Sequence, residues 1–146
     1  MFKGINITTI FVLDKDQALD FYVNKLGLEV ASDIQKGTYR WLTVRVPGDP
    51  DRELSLEVPG PPAMDESTAA QVRELVTKGA MSYTVLLTDD CRKVYETLEA
   101  RGVEDVTQEP TEHFYGVDMG IRDPFGNPIR ILQPAAKRDE VSASAG

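Results

Sequence analysis

The chain has 146 residues, of which 41% are hydrophobic and 27% are charged, a size that suits one domain with a buried core. Acidic residues outnumber basic ones by 24 to 16 and give a net charge of −8, which argues against a nucleic-acid-binding surface. The single cysteine, Cys91, excludes an intramolecular disulfide. No apolar stretch has the length of a signal peptide or membrane span, so we predict a cytoplasmic protein without a membrane partner.

An internal repeat is the most informative pattern of the chain, because residues 5–59 recur as residues 81–134. Each copy starts with a strand-like run and continues through an aspartate into an amphipathic helix. Each copy also ends with a turn and an apolar run that closes on Pro59 or Pro134. A repeat of this length predicts two tandem βαβββ modules.

The first module is predicted to span about residues 3–60. A strand at 5–12 precedes Asp14, which suits the N-cap of an amphipathic helix. Gly27 ends this helix, because glycine adopts the left-handed conformation at low cost. Residues 39–46 are rich in aromatic and β-branched side chains and form the clearest strand of the chain.

A linker helix is predicted between the modules, within about residues 61–80. Asp65 or Ser67 caps it, since both side chains accept hydrogen bonds from helix N–H groups. The predicted buried face of this helix consists of Ala70, Val72, Leu75 and Val76. We interpret the helix as structural, and the alternative is that it covers the mouth of a cleft.

The second module is predicted to span about residues 81–136. Asp89 or Asp90 caps its helix. The predicted inward-facing residues of this helix are Val94, Leu98 and Ala100. A strand at 114–121 leads into the turn at 123–127, where Asp, Pro, Gly and Asn each favour a turn for a different physical reason.

These features together resemble the vicinal oxygen chelate superfamily, which contains glyoxalase I, bleomycin-resistance proteins and extradiol dioxygenases. The resemblance covers about residues 3–134, and its most specific element is the Asp-Pro-Phe-Gly-Asn turn before the last apolar strand. It implies an α+β fold in which two βαβββ modules form an incomplete eight-stranded barrel around a cleft, and commonly a homodimer. We therefore predict a single domain over residues 1–136 and a flexible tail at 137–146.

The same resemblance implies where a metal would bind. Catalytic members hold one divalent ion with side chains from the first and last strands of each module, usually His or Gln, Glu, His and Glu. The corresponding residues of this chain are Ile7, Ser55, Tyr83 and Arg130. Ile7 offers no lone pair and Ser55 only a neutral oxygen, and the permanent charge of Arg130 opposes a cation. We therefore predict a protein without metal or cofactor.

The candidate ligand-binding residues are Arg130, Tyr83, Ser55, Glu57, Trp41 and Met119. Arg130 is the strongest of them, because a guanidinium binds carboxylate, phosphate or enolate in a bidentate manner. The alternative is an internal ion pair with Glu57, which shares a strand face with Ser55. Aromatic residues such as Tyr83 either contact a ligand or pack within the sheet, and the methionine is also suited to filling gaps in the core.

The predicted function is metal-free binding of a small organic ligand, anions included, as in bleomycin-type sequestering proteins. The first alternative is a lyase, isomerase or dioxygenase-type enzyme that uses a non-standard metal site including Glu57, or acid–base residues such as His113 and Tyr83. The second alternative is a structural or regulatory dimer whose cleft is filled by side chains.

Overall fold

The computed structural model describes residues 1–136, and the chain divides into two compact units. The first unit holds Met1–Met81 together with Pro124–Gly126, and the second holds Ser82–Asp123 and residues 127–136. Each unit contains one βαβββ module, so the α+β fold predicted from the repeat is confirmed. The tail predicted at 137–146 lies outside the described residues.

The first unit contains a four-stranded mixed sheet. Its elements are β1 (Ile7–Phe11), α1 (Lys15–Leu19) with a π-helical continuation (Asp20–Lys25), β2 (Glu29–Lys36), β3 (Tyr39–Arg45), β4 (Glu53–Glu57) and α2 (Glu66–Thr77). The strand order is β1-β4-β3-β2, with β1 parallel to β4 and the other neighbours antiparallel. Edge strand β1 therefore pairs only with β4 within its own sheet.

The first helix begins and ends where the sequence predicts. The side chain of Asp14 accepts a hydrogen bond from the backbone N–H of Gln17 and caps α1. Gly27 has φ of 90°, the left-handed conformation that glycine allows, after the helical segment ends. Phe21 and Tyr22 of the π-helical continuation are buried, with their rings packed edge to face at 5.1 Å, so this aromatic pair belongs to the core of the first unit.

The linker helix α2 is capped by Asp65, which accepts from the backbone N–H of Thr68 at 2.7 Å. Its buried face differs from the predicted one. Ala69 and Val76 are fully buried, whereas Ala70 and Leu75 are exposed. The buried pair are seven residues apart, about two helical turns, so the packed face is rotated by roughly one position from the prediction.

The second unit repeats the topology of the first. Its elements are β5 (Thr84–Leu87), α3 (Cys91–Ala100), β6 (Val106–His113), β7 (Gly116–Arg122) and β8 (Pro128–Pro134). The strand order is β5-β8-β7-β6, with β5 parallel to β8. Phe114 and Tyr115, which were predicted to lie in a strand, instead form the turn between β6 and β7.

Asp90 caps α3 by accepting from the backbone N–H of Lys93, and Cys91 and Leu98 are buried. Ala100 is exposed, contrary to the prediction, because it lies at the last helical position, two residues beyond Leu98 and so on another face. None of the helices within residues 1–136 is long and apolar enough to span a membrane.

The predicted turn at 123–127 is confirmed. Asp123 Oδ1 accepts the backbone N–H of Asn127 at 2.9 Å, and its Oδ2 accepts the Asn127 side-chain amide at 2.8 Å. Both residues are buried. The two side chains thereby join the end of β7 to the start of β8 and hold these strands in register.

Candidate functional site

Among residues 82–136, one face of the second sheet is covered by α3 and the other face has no helix on it. Gln133 accepts the backbone N–H of Cys91, the first residue of α3, so α3 covers the face to which Ile131 and Gln133 point. Side chains alternate along a strand, so Arg130 and Leu132 point to the other face. We call this other face the open face; its residues are Val85, Leu87, Gln108, Asp118, Gly120, Arg130 and Leu132.

Asp118 is the centre of a hydrogen-bond network on the open face. Its Oδ2 accepts from Arg130 Nη2 at 2.7 Å and from the Tyr115 hydroxyl at 3.0 Å. Its Oδ1 accepts from Gln108 Nε2 at 3.0 Å and lies 3.1 Å from His113 Nε2. Gln108 Oε1 in turn accepts from Arg130 Nη2 at 3.0 Å. The carboxylate is therefore contacted by four side chains that come from β6, β8 and the turn between β6 and β7.

The network favours the ionised form of Asp118. Burial alone would raise the pKa of this carboxyl, but the hydrogen bonds from Arg130 and Tyr115 and the positive charge of Arg130 outweigh burial and lower it below its usual value. Burial and the hydrogen bond to Asp118 both raise the pKa of Tyr115. The arrangement at neutral pH is therefore an anionic carboxylate, a cationic guanidinium and a neutral phenol.

Gly120 provides room for the guanidinium. It pairs with Arg130 across β7 and β8, and a Cβ added to it would lie 2.4 Å from Arg130 Nη1 and 2.6 Å from Thr107 Oγ1. Both distances are far shorter than van der Waals contact allows, so the absence of a side chain here lets Arg130 lie flat against the strand.

Exposed apolar and aromatic side chains surround the network. Tyr83 is 68% exposed just before β5, and Leu87 is 72% exposed at the end of that strand. His113 and Tyr115 stack with their ring centroids 4.8 Å apart, and Phe114 meets Tyr115 edge to face. Such surface suits the apolar part of an organic ligand.

The other candidates from the first half of the chain lie on one face of the first sheet. Ser55 is 1% exposed, and its hydroxyl is 2.8 Å from that of Thr9 on β1. Glu57 accepts from the Tyr39 hydroxyl at 2.7 Å, and this hydrogen bond together with partial burial raises the pKa of Tyr39 to about 12. Trp41 is half-buried on β3, two residues from Tyr39 and on the same face.

Two expectations about side-chain contacts need correction. Arg130 does form an internal ion pair, but its partner is Asp118 and not Glu57, because β7 and β8 are neighbouring strands in register. Met119 is fully buried and points away from the open face, since it lies between Asp118 and Gly120 on β7. Its position fits core filling rather than contact with a ligand.

Sequence reasoning missed Asp118, Gln108 and Tyr115. A signal for the first was present, since Asp118 is a lone carboxylate inside a strand-like run at 114–121. A buried carboxylate requires a partner, and Arg130 was the available cation on the last strand. Gln108 carried no such signal, because no residue range was predicted for the strand that follows the second helix.

The residues at the superfamily's metal positions do not fit a divalent cation. Ile7 has no atom that can coordinate a metal, and the Ser55 hydroxyl is hydrogen-bonded to that of Thr9. Arg130 carries a positive charge, which repels a cation and is already paired with Asp118. Residues 1–136 contain no group of three or more His, Cys, Asp or Glu side chains placed to hold a metal.

A model of the glyoxalase/bleomycin resistance protein/dioxygenase superfamily matches residues 4–131. The chain belongs to this superfamily. YurT of Bacillus subtilis (strain 168), an uncharacterised protein, is 35% identical over 130 residues, which cover 88% of this chain and 98% of YurT. The resemblance inferred from the repeat and the last turn is thus confirmed.

Solved structures of the superfamily show the same fold. The crystal structure of UcmS2 has a TM-score of 0.85 at 39% identity, covering 91% of this chain and 99% of UcmS2. The crystal structure of TnmS3, an antibiotic binding protein from Streptomyces sp. CB03234, has a TM-score of 0.73 at 28% identity. The match covers 92% of this chain and 98% of the TnmS3 chain.

Proposed function

We propose that the protein binds a small organic molecule on the open face of its second unit and does not transform it. The observation that carries this proposal is the position of Arg130, which lies in a fixed network beside exposed apolar side chains. A few placed polar groups within apolar surface are typical of small-molecule sites. Tyr83, which precedes β5, and Leu87 would contact the apolar part of the ligand.

Antibiotic sequestration is the biological role that we propose for this binding. TnmS3 is described as an antibiotic binding protein and resembles this chain over almost its whole length. Sequestration needs affinity but no reacting group, which agrees with a donor set unsuited to a metal. We further propose that the protein acts in the cytoplasm as a homodimer. Within the first unit, we propose Ser55, Glu57 and Trp41 of the first sheet as additional ligand contacts.

Native mass spectrometry with a chemically diverse antibiotic panel tests this proposal. We expect saturable binding of one molecule per protomer, and recovery of that molecule with its mass unchanged. The protein is also incubated with Zn²⁺, Ni²⁺, Mn²⁺ and Fe²⁺, and we expect that binding does not require them. Conversion of the ligand to a product would contradict the proposal and favour acid–base chemistry at His113.

Two variants show whether binding involves the open face. Arg130→Leu removes the guanidinium from the network, and we expect at least tenfold weaker binding, about 1.4 kcal/mol. Arg45→Leu is the matched control, because Arg45 forms a half-exposed pair with Glu29 on the first sheet. Equal affinities of both variants would place the ligand elsewhere on the protein.

A further inference from the structure

We infer that the open face recognises an acceptor oxygen of an uncharged carbonyl compound, and not an anion, through the N–H groups of Arg130 that its internal partners leave unused. This inference rests on the proposed function, because it names the chemical class of the ligand at the same face. It differs from what Arg130 alone suggests, since an isolated guanidinium favours carboxylate or phosphate.

Asp118 has no acceptor position left for a ligand. A carboxylate offers about four lone-pair positions; three side chains donate hydrogen bonds to Asp118, and His113 Nε2 lies 3.1 Å from it. Arg130 and Tyr115 lie at Oδ2, while Gln108 and His113 lie at Oδ1. The carboxylate is also almost fully buried. A ligand hydroxyl therefore cannot gain a hydrogen bond from it without displacing a protein group.

Arg130, in contrast, keeps unused donors. Both of its hydrogen bonds to side chains within residues 1–136 are made by Nη2, one to Asp118 and one to Gln108. Nε and Nη1 of the guanidinium carry further N–H groups, and the side chain is 29% exposed. A ligand that reaches Arg130 on this face consequently meets hydrogen-bond donors.

The charges of the network decide which acceptor is favoured. The guanidinium is neutralised by a carboxylate 2.7 Å away, so the pair attracts a second anion only weakly. A carboxylate ligand would also lose much of its hydration and would approach the charge of Asp118. A ketone, ester or amide oxygen accepts the same hydrogen bonds and loses less hydration, so the neutral acceptor binds better here.

Gly120 is the residue that positions these donors. A Cβ at this residue would overlap two side-chain atoms, Arg130 Nη1 and Thr107 Oγ1, and no backbone atom is as close. We therefore expect Gly120→Ala to shift the guanidinium while the sheet stays folded. We expect this variant to lose its preference for a carbonyl ligand over an apolar one while it remains folded.

Three naphthalenes that differ in one substituent test the inference. 2-Acetylnaphthalene carries a neutral carbonyl, 2-naphthoate carries an anion, and 2-ethylnaphthalene carries no acceptor oxygen. Equilibrium dialysis against the full-length protein at neutral pH measures their affinities. We expect the ketone to bind about tenfold more tightly than either of the others, which corresponds to about 1.4 kcal/mol.

Variants of the network then test the charge argument. Asp118→Asn removes the negative charge but keeps a side chain of the same shape. The affinity of the naphthoate should therefore rise at least tenfold relative to that of the ketone. Gly120→Ala should remove the preference for the ketone over 2-ethylnaphthalene. Gly60→Ala is the matched control, because a Cβ there meets no atom within 4 Å. Thermal unfolding of each variant reports whether it is folded.

Each outcome supports or overturns the inference. Tighter binding of the naphthoate to the wild-type protein would make the face an anion receptor and overturn it. Equal affinities of all three compounds would also overturn it, while leaving small-molecule binding intact. Failure of the ketone to bind overturns it as well, and only if the antibiotic panel also fails to bind does the proposed function fail with it.

Discussion

Asp118 and Arg130 lie on neighbouring strands of the second sheet, and 2.7 Å separates Asp118 Oδ2 from Arg130 Nη2. The side chain of Asp118 is 10% exposed and that of Arg130 is 29% exposed, so the pair is largely removed from water. It links β7 to β8 and, through Gln108, to β6. The same pair therefore contributes to the stability of the sheet and to the chemistry of its open face.

Breaking this pair from one side should destabilise the protein more than removing both charges. Arg130→Leu leaves the Asp118 carboxylate buried without its cation, and we expect a loss of about 2–3 kcal/mol in the free energy of unfolding. The double variant Asp118→Leu/Arg130→Leu should regain at least half of that loss. Urea denaturation of the wild-type protein, Asp118→Leu, Arg130→Leu and the double variant completes a double-mutant cycle and gives the coupling energy between the two residues. Simple additivity of the two single losses would contradict an energetic link between the residues.

Asp118 should also make stability depend on pH. Its pKa is lower in the folded protein than in the unfolded chain, because Arg130 and Tyr115 outweigh the effect of burial. Its stabilising contribution is therefore complete above the ordinary carboxyl pKa of about 3.9, and is lost as the pH falls through that value towards the folded-state pKa.

The measurement compares Asp118→Asn with the parent protein in a His113→Gln background, which removes the other ionisable side chain next to Oδ1 of Asp118. Urea midpoints are recorded between pH 6 and pH 3. We expect the parent to be more stable at pH 6 and the difference to shrink towards pH 3. A difference that stays constant over this range would show that the carboxylate charge does not matter.

Because Tyr39 donates a hydrogen bond to Glu57, we expect its phenol to lose its proton at a higher pH than an ordinary tyrosine does. The hydrogen bond to Glu57, followed by burial, raises the pKa of Tyr39 to about 12. Glu57→Gln removes the charge of the acceptor, so the Tyr39 pKa should fall towards its usual value of about 10. At pH 11, absorbance at 295 nm should then rise by roughly the contribution of one tyrosine.

Tyr39→Phe provides the control for that titration, because it should abolish the difference between the Glu57→Gln variant and its parent. Circular dichroism at pH 11 verifies that each protein is still folded. An unchanged absorbance in Glu57→Gln would mean that the hydrogen bond of 2.7 Å does not control this phenol.

Cys91 should be unreactive in the folded protein. It is fully buried at the start of α3, and burial, together with the nearby charge of Asp118, raises the pKa of its thiol. Only a small thiolate fraction is available to react. We expect slow labelling by a disulfide reagent at pH 8 and rapid labelling of the same protein in denaturant. Rapid labelling without denaturant would show that α3 opens readily at its first turn.

The sequence alone was sufficient for the elements whose cause is local. The repeat predicted two modules, Asp14 and Asp90 predicted helix starts through capping, and the turn at 123–127 predicted the hairpin between β7 and β8. Each of these rests on residues within a few positions of one another, or on one copy of the repeat confirming the other. Local chemistry and comparison within the chain therefore determined the fold class.

Only the tertiary structure decided which side chains meet. The period of two places Arg130 and Glu57 on particular strand faces, but it cannot say which acid lies beside the guanidinium. The hydrogen-bonded register of β7 and β8 brings Asp118 to Arg130, and Glu57 pairs with Tyr39 instead. Asp118 and Arg130 are 12 residues apart, on the two sides of the hairpin that the turn at 123–127 forms. The turn predicts that β7 and β8 are neighbours, but the pairing of β6 with β7, which adds Gln108 to the network, depends on packing of the whole sheet. The charge balance of the open face is consequently determined by the hairpin together with the tertiary structure.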